Sequence, residues 1–215
     1  MANHCYNFAE FVGPADVLHK LSKRLEKITK DQLKEAYTDK GLPIPAYKEE
    51  VAWINGANAH ELLFKKEPSG NFDVYDLYGS KWFECYYQYN EGDEHLIMQG
   101  DSAWSPMLPL FEKICKKFKL NCVGNYGESG MNFAGEFEFD PEGCVEHKEM
   151  TYRQYEAEHN PTSFWDQILY EIEEGYYDSL ESIYEELKSV DWDLTETEKE
   201  ELKKVYEESV ENNAD

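Results

Sequence analysis

Between Trp82 and Phe139 the apolar residues change from strand-like to helix-like spacing and back. Trp82 to Tyr89 are almost all aromatic or β-favouring, and Glu91-Gly92-Asp93 supplies turn chemistry before Leu96-Ile97-Met98 resumes a strand. Ser105-Pro106 predicts a helix start, because proline is tolerated in a first turn where its missing N–H costs nothing. Met107, Leu110, Phe111, Ile114, Cys115 and Phe118 then fall on one helical face, with Lys113, Lys116, Lys117 and Lys119 off it or at its end. Phe133, Phe137 and Phe139 alternate with Glu136 and Glu138 around Gly135, the period of a half-buried strand. The order is β-β-α-β-β, an α+β pattern.

Upstream, Cys5 to Val12 predicts a first strand and Gly13-Pro14 a helix start. Val17, Leu18, Leu21, Leu25 and Ile28 recur at helical spacing, with Lys20, Lys23, Arg24, Lys27 and Lys30 as a basic stripe outside them. Gly41-Leu42-Pro43-Ile44-Pro45 ends that region, since a proline disfavours helix in the residue before it. Tyr47 to Ile54 predicts a short helix; Leu62-Leu63-Phe64 and Phe72 to Tyr78 predict a hairpin around Pro68-Ser69-Gly70-Asn71.

Downstream, Val145 to Tyr155 reads as an edge strand or extended arm, and Asn160-Pro161 marks the passage to an all-helical tail. Phe164, Ile168, Ile172, Tyr176, Leu180, Ile183, Leu187 and Val190 step by three or four residues there, a row that must be covered. Gly175 breaks or bends the segment, and Thr195 with Glu198 forms a capping box for a last helix carrying Leu202, Val205 and Tyr206 inside. The domain division expected is residues 1–160, an α+β domain, and 161–215, an acidic helical appendage.

Charge changes the picture more than length does. The net charge is −24, and residues 161–215 hold 18 acidic and 4 basic side chains, so acidity is concentrated in the tail. Such a field repels nucleic acid and anionic membranes and favours basic partners. The aromatic strand Trp82–Tyr89 invites comparison with sheet-face RNA binders, but it carries Glu84 and leads into Glu91, Asp93 and Glu94, which opposes nucleic acid. No signal-peptide pattern or run of 18 apolar residues is present, which predicts a soluble cytoplasmic protein. Cys5, Cys85, Cys115, Cys122 and Cys144 are odd in number and widely spaced, which predicts reduced thiols.

Several stretches carry a resemblance. The opening Met-Ala-Asn-His-Cys-Tyr-Asn, Gly79-Ser80-Lys81-Trp82, Ser102-Ala103-Trp104-Ser105-Pro106, Tyr126-Gly127-Glu128 and Met131-Asn132-Phe133-Ala134-Gly135 match the YubB-type ferredoxin-like proteins in spacing and order. The similarity covers about residues 1–140 and departs at His4, where that family usually has tryptophan. It implies a ferredoxin-like antiparallel sheet with helices on one face, carried by phages and conjugative plasmids in a bacterial host. It implies no catalytic residues, since none are established for the family.

Candidate chemistry is sparse. His60-Glu61 lacks the rest of a zinc-protease motif, and Asn125 to Gly130 lacks the lysine of a phosphate loop. Cys144, His147 and His159 supply three donors with no fourth in register, so no metal site is expected, and no cofactor is implied. Cys5 beside His4 fits strand packing better than a nucleophile with its base. Two functional classes follow. The first is an acidic interaction protein that occupies a basic surface on a host nucleic-acid-handling or defence protein. Its contact residues are Glu171, Glu174, Asp178, Glu181 and Glu185, which a continuous helix would line up as one ridge. The second is a small-molecule binder or small enzyme with a pocket lined by Trp82, Trp104, Tyr126 and Phe133.

Overall fold

The computed structural model describes residues 3–38, 40, 51–64 and 78–212. The chain forms two compact units, Met1–Glu149 and Met150–Asp215. The first contains strands β1 (His4–Val12), β2 (Val51–Asn55), β3 (Trp82–Gln88), β4 (His95–Ala103), β5 (Asn121–Glu128), β6 (Phe133–Asp140) and β7 (Gly143–Met150, whose last residue opens the second unit), with helices α1 (Ala15–Thr38), α2 (Gly56–Phe64) and α3 (Leu108–Phe118). They make one seven-stranded sheet in the order β2-β3-β4-β1-β5-β6-β7. Its inner part, β1-α1-β3-β4-α3-β5, is the split β-α-β plan with β1 and β4 central, antiparallel to each other and to their neighbours. β2 extends one side; β6 and β7 extend the other.

The register explains why both long helices lie on one face. Ala9 stands opposite Met98 and Gly124, Phe11 opposite Leu96 and Cys122, and Cys85 opposite Gly100 and Ala52, so the buried residues of every inner strand point the same way. Leu18, Leu21, Leu25 and Ile28 of α1 and Leu110, Phe111, Ile114 and Cys115 of α3 join them in one core. Gly100 is required at its place. Its φ is +141°, and a Cβ there would come 2.0 Å from the Glu84 carbonyl oxygen on β3.

The basic stripe of α1 is neutralised locally. Lys20 pairs with Asp16, Lys23 and Lys30 with Glu26, and Lys27 with Asp31 and Glu61. Arg24 donates to the carbonyls of Leu62 and Leu63, taking up the otherwise unsatisfied end of α2, and its guanidinium lies over the Phe118 ring. Asn7, fully buried, donates from Nδ2 to the Cys5 carbonyl and to Ser102 Oγ, both at 2.8 Å. Its Oδ1 accepts the Met107 N–H at 2.8 Å, which fixes the approach to α3 on the two central strands.

Some expectations are corrected. Val51–Asn55 is a strand where the spacing predicts the end of a short helix, because Ala52 and Ile54 pair into the core opposite Cys85 and Phe83. Leu62-Leu63-Phe64 closes α2 rather than opening a hairpin, with Leu62 and Leu63 buried. The companion arm at 72–77 and the turn at 68–71 lie outside the described residues. The helix expected at Ser105-Pro106 begins at Leu108, with Pro109 in its first turn. Val145 to Tyr155 divides between the edge strand β7 and a new helix.

That helix, α4 (Tyr152–His159), falls in the second compact unit, so the unit begins at Met150 rather than after residue 160. The Thr151–Gln154 capping box starts it. It is followed by α5 (Pro161–Glu173), α6 (Leu180–Ser189) and α7 (Glu196–Asn212), the last opened by the predicted Thr195–Glu198 box. Phe164, Ile168, Ile172, Ile183, Leu187, Val190 and Leu202 form this unit's own core. Tyr176 does not join the row: it is 73% exposed beyond the end of α5. No helix among the described residues is long and apolar enough to cross a membrane.

The cysteines give a simple measurement. Cys5, Cys85, Cys115 and Cys122 are buried free thiols, and only Cys144 is exposed. Burial pushes the Cys5 thiol up to about 12 and Cys85 well above its ordinary value, which suppresses the reactive thiolate. Titration with an aromatic disulfide reagent at neutral pH is expected to show one fast thiol in the native protein and all five after unfolding. Loss of the fast thiol in Cys144→Ser checks the assignment; several fast thiols in the native state would contradict the burial.

Candidate functional site

The four residues expected to line a pocket do not meet. Tyr126 stands opposite Asn7 and Gly135, and Phe133 opposite Glu128, so both rings lie on the helix-covered side, with centroids 6.2 Å apart. Trp82 is on the other face, stacked on Trp53 at 4.8 Å with 20° between planes. Trp104 lies past the end of β4 with φ +69° and 45% exposed, its N–H bonded to the Asn3 carbonyl. The sheet separates Trp82 from Tyr126 and Phe133. Tyr126 Oη and His147 Nε2 share a hydrogen bond at 2.8 Å. Burial first, then the Glu149 charge, push the Tyr126 phenol up to about 12, so it remains neutral. His4 and Cys5 point to opposite faces: His4 meets Asp101 and the edge of Trp82, while Cys5 enters the core. Among the described residues, no three His, Cys, Asp or Glu side chains gather as a metal site requires.

The acidic residues of the second unit are also rearranged. Gly175 takes φ +76° and Ser179 caps α6 through its box with Ser182, so α5 and α6 are separate helices. Glu171, Glu174, Asp178, Glu181 and Glu185 therefore do not form the continuous ridge that one helix would give. Glu171 leaves the exposed set. Its carboxylate accepts from Arg153 Nη2 at 2.6 Å, Tyr177 Oη at 3.0 Å and Gln167 Nε2 at 2.9 Å. Arg153 also reaches Glu186 at 2.6 Å, and Tyr177 Oη lies 3.0 Å from the same carboxylate. Burial alone would raise Glu171, but the hydrogen bonds from Arg153 and Gln167 outweigh it and hold the carboxyl below its ordinary value. Burial and the Glu186 and Glu171 charges push Tyr177 up. This cluster ties α4, α5 and α6 together.

Glu174, Asp178, Glu181 and Glu185 stay exposed, with Glu173, Asp193, Glu200, Glu201, Glu207, Glu208 and Glu211 around the same helices. The lysines of α7 sit beside carboxylates of their own helix: Lys199 by Glu196, Lys203 by Glu207 and Lys204 by Glu208. The surface these helices present is strongly negative and has little cationic counterweight.

The open face of the sheet is a feature the sequence reading missed. Trp53, Tyr86 and Tyr6 are between 42% and 47% exposed there, in rows that also carry Glu84 and Asp101. The alternation of Trp82–Gln88 signals that one set of side chains faces away from the core. Which residues of β2, β4 and β1 stand beside them depends on register, which periodicity does not supply.

The match to a family model agrees with this architecture. Residues 81–167 match a family model described as the ferredoxin-like domain in Api92-like protein. No curated protein matches the chain. Among solved structures, the crystal structure of a protein api92 from Yersinia pseudotuberculosis is similar at a TM-score of 0.44 and 11% identity, over 70% of this chain and 98% of that one. Neither description names an activity, substrate or partner. What the sheet topology and the family match give is a ferredoxin-like domain, here followed by an acidic helical unit.

Proposed function

We propose that the protein is an acidic interaction protein, carried by a phage or other mobile element, that occupies the basic surface of a host nucleic-acid-handling or defence protein. The observation that carries this reading is the helical unit's surface: carboxylates remain exposed on α5, α6 and α7 after Glu171 and Glu186 are consumed in the Arg153 cluster. Carboxylates held on helices imitate an array of phosphates, and a partner built to grip nucleic acid supplies the complementary charge. The mobile-element part rests on the sequence resemblance alone. The pocket reading loses its support because Trp82 and Tyr126 lie on opposite sides of the sheet.

Charge reversal of Glu174, Glu181 and Glu185 to lysine tests the reading. Each is exposed, and their like charges repel, so the melting temperature is expected to hold or rise slightly. Capture of basic proteins from bacterial extract at low salt is expected to fall sharply in the triple variant, and the captured protein to be released by duplex DNA. A clear loss of melting temperature with capture unchanged, or capture indifferent to DNA and salt, would reject it.

A further inference from the structure

Across the open face of the sheet, Trp53, Glu84, Asp101 and Tyr6 lie side by side on β2, β3, β4 and β1. Glu84 and Asp101 are direct cross-strand neighbours, and like charges so placed repel. No lysine or arginine among the described residues pairs with either carboxylate. Asp101 meets His4 Nδ1 at 3.4 Å, and Glu84 accepts from Tyr86 Oη at 3.3 Å. On one side of the pair stand the stacked indoles of Trp53 and Trp82, with His4 edge-on to Trp82 at 5.4 Å. On the other side is Tyr6. Trp53 is 42% exposed and Tyr6 44%.

Two repelling carboxylates between exposed aromatic rings make an unfavourable surface in isolation, and a bound cation relieves both costs at once. Carboxylates with aromatic faces are the chemistry that recognises a cation. A guanidinium suits it better than an ammonium, because its plane stacks on a ring while its fork of donors reaches two acceptors. Charge decides the class of partner. A nucleic acid strand laid on this face would bring its phosphates against Glu84 and Asp101, with Glu10 and Glu136 further along neighbouring strands.

We propose that Trp53, Trp82, Glu84, Asp101 and Tyr6 form a binding site for an arginine side chain presented by a basic segment of another protein. The site belongs to the first unit and does not depend on the carboxylates of the helical unit.

Titration of the full chain with a short oligoarginine peptide, followed by the indole N–H signals, tests it. The Trp53 and Trp82 signals, assigned through Trp53→Phe and Trp82→Phe, are expected to shift, and oligolysine to bind several-fold more weakly. Glu84→Gln with Asp101→Asn is expected to weaken oligoarginine about tenfold, a loss expected of charge-assisted contacts. Asp193→Asn with Glu200→Gln removes the same charge from the helical unit and is expected to change affinity by less than about twofold, as exposed charges screened by salt do when they make no contact with the bound side chain. The first double variant should melt no lower than the parent, since a repulsion has been removed. Equal weakening by both double variants, or equal affinity for oligolysine, would reduce the effect to diffuse attraction and overturn the proposal. So would silent indole signals, or a drop in melting temperature showing that the two carboxylates serve the fold. A concentration-dependent dimer that shifts the same indoles without peptide would assign the face to a second copy. Shifts of the same size with single-stranded DNA would assign it to nucleic acid.

Discussion

Asn7→Ala is expected to lower the unfolding free energy of the first unit by roughly 3 kcal/mol, the sum of a lost buried hydrogen-bond set and an orphaned partner. Asn7 is fully buried and satisfies groups from three directions: the Cys5 carbonyl, Ser102 Oγ and the Met107 N–H. Alanine leaves the Met107 N–H without an acceptor in a place water does not reach, and that desolvation is the larger part of the loss. Ser102→Ala is the milder comparison, because Asn7 then retains the Cys5 carbonyl and Met107 contacts. Because the chain has two compact units, a single melting curve does not isolate the effect. Amide hydrogen exchange in β1, β4 and β5 does, with α5 and α6 as internal controls. Protection in the sheet should fall about a hundredfold, which is the exchange equivalent of that free energy. A loss under about tenfold would mean that the backbone relaxes to give Met107 another acceptor.

The second large effect belongs to the helical unit. Arg153→Met removes the cation that Glu171 and Glu186 share, leaving two half-buried carboxylates and Tyr177 without their counter-charge. The expected loss is about 3 kcal/mol, the low end for breaking a buried pair, since these side chains keep 17–27% of their exposure. The same cluster sets a pH dependence. Glu171 is held below its ordinary 4.5 in the folded chain, so its contribution is fully present above that value and is lost as pH falls through the lower folded one. Exchange protection in α5 and α6 should decline over that acid interval in the parent. In Arg153→Met the decline should be shallower, because the depression has lost its main source. Identical acid profiles in the two proteins would place the acid sensitivity elsewhere.

How much of this was legible in the sequence depends on whether a feature is set by local period or by distant pairing. The core strands were legible because one face is buried, and burial imposes alternation on β1, β4 and β6. The helices were legible from Leu18, Leu21, Leu25 and Ile28 and from Leu110, Phe111 and Ile114. Short apolar runs were not, since strand and helix are degenerate over three to five residues; that is where Val51–Asn55 and Leu62-Leu63-Phe64 were misread. The carboxylate ridge failed for a related reason. A serine box at Ser179 and Ser182, with a left-handed Gly175, ends one helix and starts another within a few residues. The pocket failed because Trp82 and Tyr126 are both aromatic and both in strands, and only the pairing register reveals that they face opposite ways. The Glu84–Asp101 contact was hidden by the same gap: seventeen positions apart in sequence, they become neighbours only when β3 and β4 pair.

Among the described residues the sheet ends at β7, and the composition of that strand bears on how the protein behaves at high concentration. Cys144 to Glu149 are exposed, and Glu146, His147, Lys148 and Glu149 succeed one another along a strand that has no further neighbour in the sheet among the described residues. A sheet margin of this kind offers its free backbone groups as a template for any extended chain that arrives. Ionisable side chains would have to be stripped of water for a second strand to dock, so growth of the sheet from one molecule into the next is disfavoured. A wide, aromatic-rich sheet thus carries at its own margin a safeguard against fibrous self-assembly.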